Sequence, residues 1–335
     1  ILGTGWVAGE HVKAFQSDPR SEVRAVCGRD QGRSQAFADG LGLTCKVYTD
    51  MDALLAQDGI DIVVVATPPN VHEIQAVAAA KSGKHILLEK AMAVNVEQGR
   101  AIRDAVAEAG VKSVVSFVLR WNPLIKIIRK QLEDNAIGKV YMGEVDYFHG
   151  IGPWYGQYGW NVKKDVGVSS LLSAGCHALD ALRCFMGGEV AEVTQYSTYG
   201  GAEVFKEYEY EPTTLTILKF ADGRIGKVAS CIECIQPYVF NINLVGTHGT
   251  IKNNKIWSTT KYPGQNDWVE VPAILPDSGD VSHHAFSEVA THLIDCIEND
   301  VESNTSIADG FKSHEICCAA DLSGQTGKPV ELPLS

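Results

Sequence analysis

Short apolar runs alternate with amphipathic stretches through the N-terminal part of the chain. Ile1-Leu2 runs into Gly3-Thr4-Gly5, Trp6 to Gln16 has helical spacing, and Glu22 to Cys27 reads as a strand. The same alternation predicts a helix over 34–41, a strand at Val47-Tyr48, and a helix from Met51 with Asp50 as its N-cap. Ile62 to Ala66 is an unbroken apolar run, the pattern of a strand buried on both faces. A helix over 71–82 stopped by Gly83, a strand over 85–89, a helix over 94–109 stopped by Gly110 and a strand over 113–117 complete the series. Strands that alternate with helices predict a doubly wound parallel sheet, here of six strands with a glycine turn after the first.

The period changes after Arg120-Trp121-Asn122-Pro123. Pro123 opens a helix to about Leu132, and Val140 to Phe148 alternates with the period of a half-buried strand. Residues 150–168 read as a loop and 170–186 as a helix. Strands follow over 190–199, 215–220, 225–235 and 239–245, with Asp222-Gly223 as a hairpin signal. Helices over 284–299 and 307–323 close the chain. The expected division is therefore a dinucleotide-binding domain over 1–120 and a second domain, built on an antiparallel sheet, over 121–335.

Composition narrows the class of partner. The chain has 335 residues, of which 45% are hydrophobic, more than one core of about 250–300 residues absorbs. A formal net charge of -12 argues against a nucleic acid or an anionic membrane as partner, since both bind through basic patches. No apolar run approaches the roughly 18–20 residues of a membrane span. The nine cysteines are scattered without a disulfide framework, which suits a reducing compartment and points to the cytoplasm. Cys231-Ile232-Glu233-Cys234 has C-x-x-C spacing but no second ligand pair, so we expect buried small hydrophobes and no metal. The chain opens at Ile1 in what reads as the last turn of a strand, so residues before it are expected to be missing, and an upstream export segment stays open.

Four places can carry chemistry. Gly3, Gly5 and Ala8 fit the G-x-G-x-x-G/A spacing, in which glycines admit a pyrophosphate close to the backbone and the helix start at Trp6, Val7 and Ala8 offers its amides. Thr67, Pro68, Asn70 and His72 form a rigid turn after the fourth strand, and Glu89-Lys90 ends the fifth, where an open parallel sheet binds its ligand. A surface ion pair is the plainer reading of Glu89-Lys90. Ser173, His177 and Asp180 share a helix face by their spacing, and His177 titrates in the range needed for proton exchange with an alcohol; a structural histidine is the alternative. The stretch from Tyr147 to Lys164 holds Trp154, Tyr155 and Trp160 beside Lys163, and is either a platform for sugar rings or a loop packing its own aromatics.

Taken in order, these segments resemble the glucose–fructose oxidoreductase, inositol dehydrogenase and rhizopine-catabolism (Gfo/Idh/MocA) family over essentially the whole chain. The resemblance rests on Gly3-Thr4-Gly5-x-x-Ala8, Ala66-Thr67-Pro68-Pro69-Asn70-x-His72, Glu89-Lys90, Arg120-Trp121-Asn122-Pro123, Gly175-x-His177-x-x-Asp180 and Thr326 to Pro333. It implies an N-terminal Rossmann domain and a C-terminal α+β domain with a large, mostly antiparallel open sheet, through which dimers or tetramers of one chain form. It further implies hydride transfer between a nicotinamide and a secondary hydroxyl of a sugar, cyclitol or polyol, or the matching ketone. Lys90 matches the family lysine at the reacting oxygen, His177 the acid/base, and Asn122 joins the cofactor side. Tyr147, Trp154, Tyr155, Trp160, Lys163 and Ser173 are the expected substrate contacts.

Two departures stand out. Ala91 replaces the proline after the lysine, and Ser173 stands where many family members carry an aspartate. A serine cannot steady an imidazolium as a carboxylate does, which leaves Asp180 for that task or removes the need for it. At the end of the second strand Gly28 stands where an acid would bind the ribose 2′-hydroxyl of NAD, while Arg29 and Arg33 suit a 2′-phosphate, so NADP is preferred to NAD. Two other functions fit the departures: a glycoside hydrolase or lyase that oxidises its substrate transiently on a held cofactor, and a non-catalytic dinucleotide or sugar sensor.

Overall fold

The structure is a computed structural model that describes residues 1–273, 275 and 284–335. The chain divides into two units, Ile1–Val118 with Ala285–His314, and Leu119–His284 with Glu315–Ser335. The return of 285–314 to the first unit corrects the simple division at residue 120. Its cause is local packing: the Phe286 ring meets His11 edge-on at 5.1 Å, Arg20 bonds Asp295 and Glu298, and the Val115 amide donates to Thr305 O at 2.8 Å.

The first unit holds strands β1 (Ala25–Cys27), β2 (Lys46–Tyr48), β3 (Ile62–Val65), β4 (His85–Leu88) and β5 (Ser113–Val115), all paired in parallel. Leu2 bridges both Cys27 and Val65, so the chain start is the missing central strand. Counting it first, the order is third, second, first, fourth, fifth, sixth, the doubly wound order of a dinucleotide-binding sheet. Short caps set the helices between them. Asp50 accepts from the Asp52 amide and Asn95 from Gln98, and Gly110 ends the helix Val96–Ala109 in the left-handed region at φ 65°.

The second unit is built on β6 (Val140–Phe148), β7 (Val190–Thr198), β8 (Thr213–Phe220), β9 (Ile225–Cys231), β10 (Val239–Gly246), β11 (Gly249–Lys252), β12 (Lys255–Ser258), β13 (Val269–Glu270) and β14 (Val330–Glu331). They form one sheet in the order β13-β12-β11-β10-β6-β9-β8-β7-β14, antiparallel throughout except for the parallel pair β6 and β9. The hairpin β11–β12 was not expected. Asn253, in the left-handed region at φ 51°, makes its turn, as Asn does readily. Gly223 at φ 86° makes the expected turn between β8 and β9.

The helix Cys176–Met186 lies on one face of this sheet. A Cβ on Gly143 would meet Leu182 at 2.6 Å and Met186 at 2.8 Å, and one on Gly175 would meet Ser230, so small residues bring helix and sheet close. Strand β8 inverts the usual alternation: Thr214 and Thr216 are buried on the helix side, while Leu215 and Ile217 on the opposite face are 42% and 45% exposed. No helix among the described residues is long and apolar enough to cross a membrane.

Candidate active site

The glycine turn is shaped from two sides. Gly3 sits at φ 108°, and a Cβ there would strike the Ala66 carbonyl, so its glycine serves the fold. Gly5 is different. A Cβ on it would meet no described atom within 4 Å, so protein packing does not require a glycine there. Gly5 is the N-cap of the helix Trp6–Ser17, which has no side-chain cap and no acid in its first turn. Amides left without a cap at a helix start, beside a bare backbone, suit a pyrophosphate. Ala8 is fully buried and lets helix and sheet approach, while Trp6 is exposed and rests edge-on against Phe286. Gly28 makes room for Ser34, and Asp30 accepts the Arg33 amide at 2.8 Å as the cap of the next helix. Arg29 and Arg33 are exposed.

The turn after β3 holds an internal brace. His72 is fully buried, with Nδ1 2.9 Å from Ala91 O and Nε2 2.7 Å from Thr67 O. Burial pushes its imidazole down in pKa, against the upward pull of these carbonyls and the Glu89 charge. His72 thus braces two loops, through Thr67 O and Ala91 O. Thr67 is half-buried and bonds Gln75, Pro68 leads into a short 3₁₀ turn, and Asn70 is exposed.

Glu89 and Lys90 are not a surface ion pair. Glu89 is buried, with Oε1 2.7 Å from His11 Nε2 and Oε2 accepting the Lys90 amide at 3.2 Å. Burial alone would raise its carboxyl, but the His11 hydrogen bond and charge, with Lys90 and Ser116, hold it below the ordinary value. Glu89 anchors the backbone that carries Lys90. Lys90 itself is half-buried, and its peptide bond to Ala91 is cis.

In the second unit a π turn, Leu171–Gly175, precedes the helix Cys176–Met186 and gives its polar residues separate partners. Ser173 lies in the π turn itself, its amide donating to Ser169 O at 3.0 Å. Asp180 is the bidentate partner of Arg120, at 2.6 Å from Nε and 2.5 Å from Nη2, with Arg183 at 3.5 Å. The Asp180 carboxylate is thus held in a buried ion pair. Asn122 is fully buried and accepts the Leu124 amide as the cap of the helix Pro123–Glu133.

His177 lies among aromatic rings. Tyr147 stacks on it at 6.3 Å and 19°, and the His284 ring lies 6.3 Å away on a tilt. Tyr147 in turn meets Tyr238 edge-on at 5.2 Å and bonds His149 Nδ1 at 3.3 Å, while Tyr155 closes on His149. His149, Tyr238 and His284 were not singled out in the sequence. Nothing local marks them, since they come from the end of β6, the start of β10 and the approach to a distant helix. Of the other expected contacts, Trp154 is 65% exposed against Phe205, Trp160 is half-buried, and Lys163 is paired with Glu209 at 2.8 Å. Tyr208 and Tyr210 bond the backbone at Ile151 and Asn161, so part of this loop does pack its own aromatics.

Comparisons with known proteins agree with this architecture. Residues 1–117 match the model of the "Oxidoreductase family, NAD-binding Rossmann fold" and residues 125–252 that of the "GFO/IDH/MocA C-terminal domain". The chain is 24% identical to a scyllo-inositol 2-dehydrogenase (NAD(+)) of Bacillus subtilis (strain 168), over 99% of this chain and 95% of that protein. It is 25% identical to a D-apiose dehydrogenase of Paraburkholderia graminis, over 99% and 88%. Among solved structures, an oxidoreductase domain protein from Kribbella flavida superposes with a TM-score of 0.88 at 24% identity, covering 99% of this chain and 98% of that one. Two family models in order, on a fold with the matching strand order, place this chain in the Gfo/Idh/MocA family of oxidoreductases.

Proposed function

We propose that this oxidoreductase interconverts a secondary alcohol and a ketone on a sugar, cyclitol or related polyol. The observation that carries the reading is the His177 cluster: a histidine among the hydroxyl-bearing rings of Tyr147, Tyr155 and Tyr238, with His149 beside them, offers both a proton carrier and flat, hydrogen-bonding walls for a ring of hydroxyls. The relatives named for inositol and apiose support that substrate class. In this reading the Lys90 ammonium polarises the reacting oxygen and His177 Nε2 or Nδ1 takes or returns its proton. The Gly3–Ala8 turn binds the pyrophosphate. A bound nicotinamide supplies the two-electron exchange.

Arg29 and Arg33, exposed beside an acid-free Gly28, favour the 2′-phosphorylated dinucleotide. Free cysteines at all nine positions favour a reducing compartment such as the cytoplasm. The exposed apolar row Tyr196, Leu215, Ile217 and Ile225 on the open sheet face favours self-association there. The test is a panel of sugars, cyclitols and their ketones with NADP and NAD, read at the reduced-nicotinamide absorbance. Lys90→Ala and His177→Gln should each lower kcat by about 10²–10⁴, and full activity in either variant overturns its assigned role. Arg29→Ala should raise KM for NADP and leave KM for NAD nearly unchanged; equal effects on both reject the phosphate preference.

A further inference from the structure

Cys231 and Cys234 do not behave as the buried small hydrophobes their spacing suggested. Both are half-exposed. Cys231 ends β9 directly across from Thr213 of β8, whose hydroxyl lies 3.2 Å from its Sγ. The chain then turns so that Cys234 Sγ comes within 3.6 Å of Cys231 O, which brings the second thiol back onto the residue that carries the first. Thiols this close on a turning backbone are within the reach of a disulfide.

The pair is also asymmetric. The Cys234 thiol, the Thr213 hydroxyl and the Glu233 amide all act on Cys231 Sγ and hold its pKa well below that of an ordinary cysteine, although burial and the Glu233 charge oppose them. Cys234 moves the other way, because its proton is engaged by Cys231. The Thr213 hydroxyl has one proton and also faces Glu233 Oε1 at 2.8 Å, so that donor is shared. A metal is the poorer reading: no group of three or more ligating side chains is found among the described residues.

The geometry points to a redox-active dithiol: we propose that Cys231 and Cys234 close reversibly to a disulfide by exchange with a low-molecular-weight disulfide such as oxidised glutathione. Cys231 thiolate attacks one sulfur of the oxidant, forming a mixed disulfide and releasing one thiolate. Cys234 then gives up its proton and attacks the Cys231 sulfur, breaking the mixed bond and releasing the second thiol. The protein loses two protons and two electrons, and the oxidant is reduced to two thiols.

This pair adjoins the aromatic cluster. The His149 amide donates to Cys231 O and the Ile151 amide to Ile232 O, both at 2.9 Å, and a Cβ on Gly150 would meet Cys234 O at 2.5 Å. Closing the bond therefore strains the backbone that sets His149, and turnover falls. The covalent step stands independently of the dehydrogenase reading, while the fall in turnover rests on it.

The experiment uses the whole protein treated with oxidised glutathione at pH 7, trapped by alkylation and read by peptide mass. We expect one peptide that joins Cys231 to Cys234 and has lost two hydrogens, reversed by dithiothreitol. Cys231 should react about tenfold faster than the comparably exposed Cys45 and Cys318. Cys234→Ser should accumulate the mixed disulfide at Cys231, and Cys231→Ser should give neither product. A Cys231 no faster than Cys45, or no 231–234 peptide while other cysteines are modified, overturns the proposal. Oxidation should lower turnover several-fold in the wild type and leave Cys231→Ser unaffected. A fully formed disulfide with unchanged turnover removes the link to the site while leaving the dithiol in place.

Discussion

Glu89 and Lys90 are adjacent in the chain and opposite in environment. The carboxylate points inward to His11, anchoring the strand end, while its neighbour Lys90 is half-buried. The anchor has a pH signature. Its carboxyl is held below the ordinary value in the folded state, so its stabilising contribution is present above the unfolded carboxylate range near about 4.3 and is lost as pH falls through the folded value. Glu89→Gln should accordingly lower the melting temperature at pH 7 and shrink the further drop seen on acidification; parallel melting curves against pH for both proteins would contradict this. The position of Lys90 at a strand end was legible in the sequence because an apolar run stops there. The direction of Glu89 was not, since its partner His11 lies on another element.

Elements explain where the reading of the helix at 171–186 stopped short. Spacing of three and four placed Ser173, His177 and Asp180 on one face, which holds for a regular α-helix. The π turn at Leu171–Gly175 holds Ser173 outside the regular helix, while within that helix His177 meets Tyr147 and Asp180 meets Arg120. Arg120 had been read as part of a family signature and Asp180 as a proton-handling group; together they form a buried pair that fixes the helix. Removing one partner of such a pair costs about 3–5 kcal/mol. Asp180→Ala should therefore show its main loss in chemical denaturation, and a variant of unchanged stability with abolished turnover would restore a direct chemical role. Helix limits, by contrast, were readable from Asp50 and Gly110, because caps act locally.

At the scale of the molecule, the parallel sheet followed from the alternation of strands and helices, whereas the nine-stranded sheet needed pairings no local pattern reveals. The parallel contact of β6 with β9 joins strands separated by the whole His177 helix and two further strands. The inverted alternation of β8 was visible as Thr-Leu-Thr-Ile but carries its meaning only once the faces are known. Ile217→Lys on the open face should shift the protein toward monomer in analytical ultracentrifugation with little change in melting temperature of the monomeric form. An unchanged sedimentation coefficient would free that face from any role in self-association.

The segment 285–314 sets an order on synthesis. A ribosome that has made residues 1–118 has supplied every strand of the parallel sheet, yet His11 and Trp6 still await Phe286, and the Val115 amide still awaits the Thr305 carbonyl. The first unit to be translated is thus among the last to be completed, and all of residues 119–284 must emerge in between. During that interval the helix Trp6–Ser17 carries an uncovered apolar flank, an opening for chaperones or for aggregation. A nucleotide-binding half that waits for residues 285–314 closes only after the whole second sheet has been made, and its exposed flank persists through that interval.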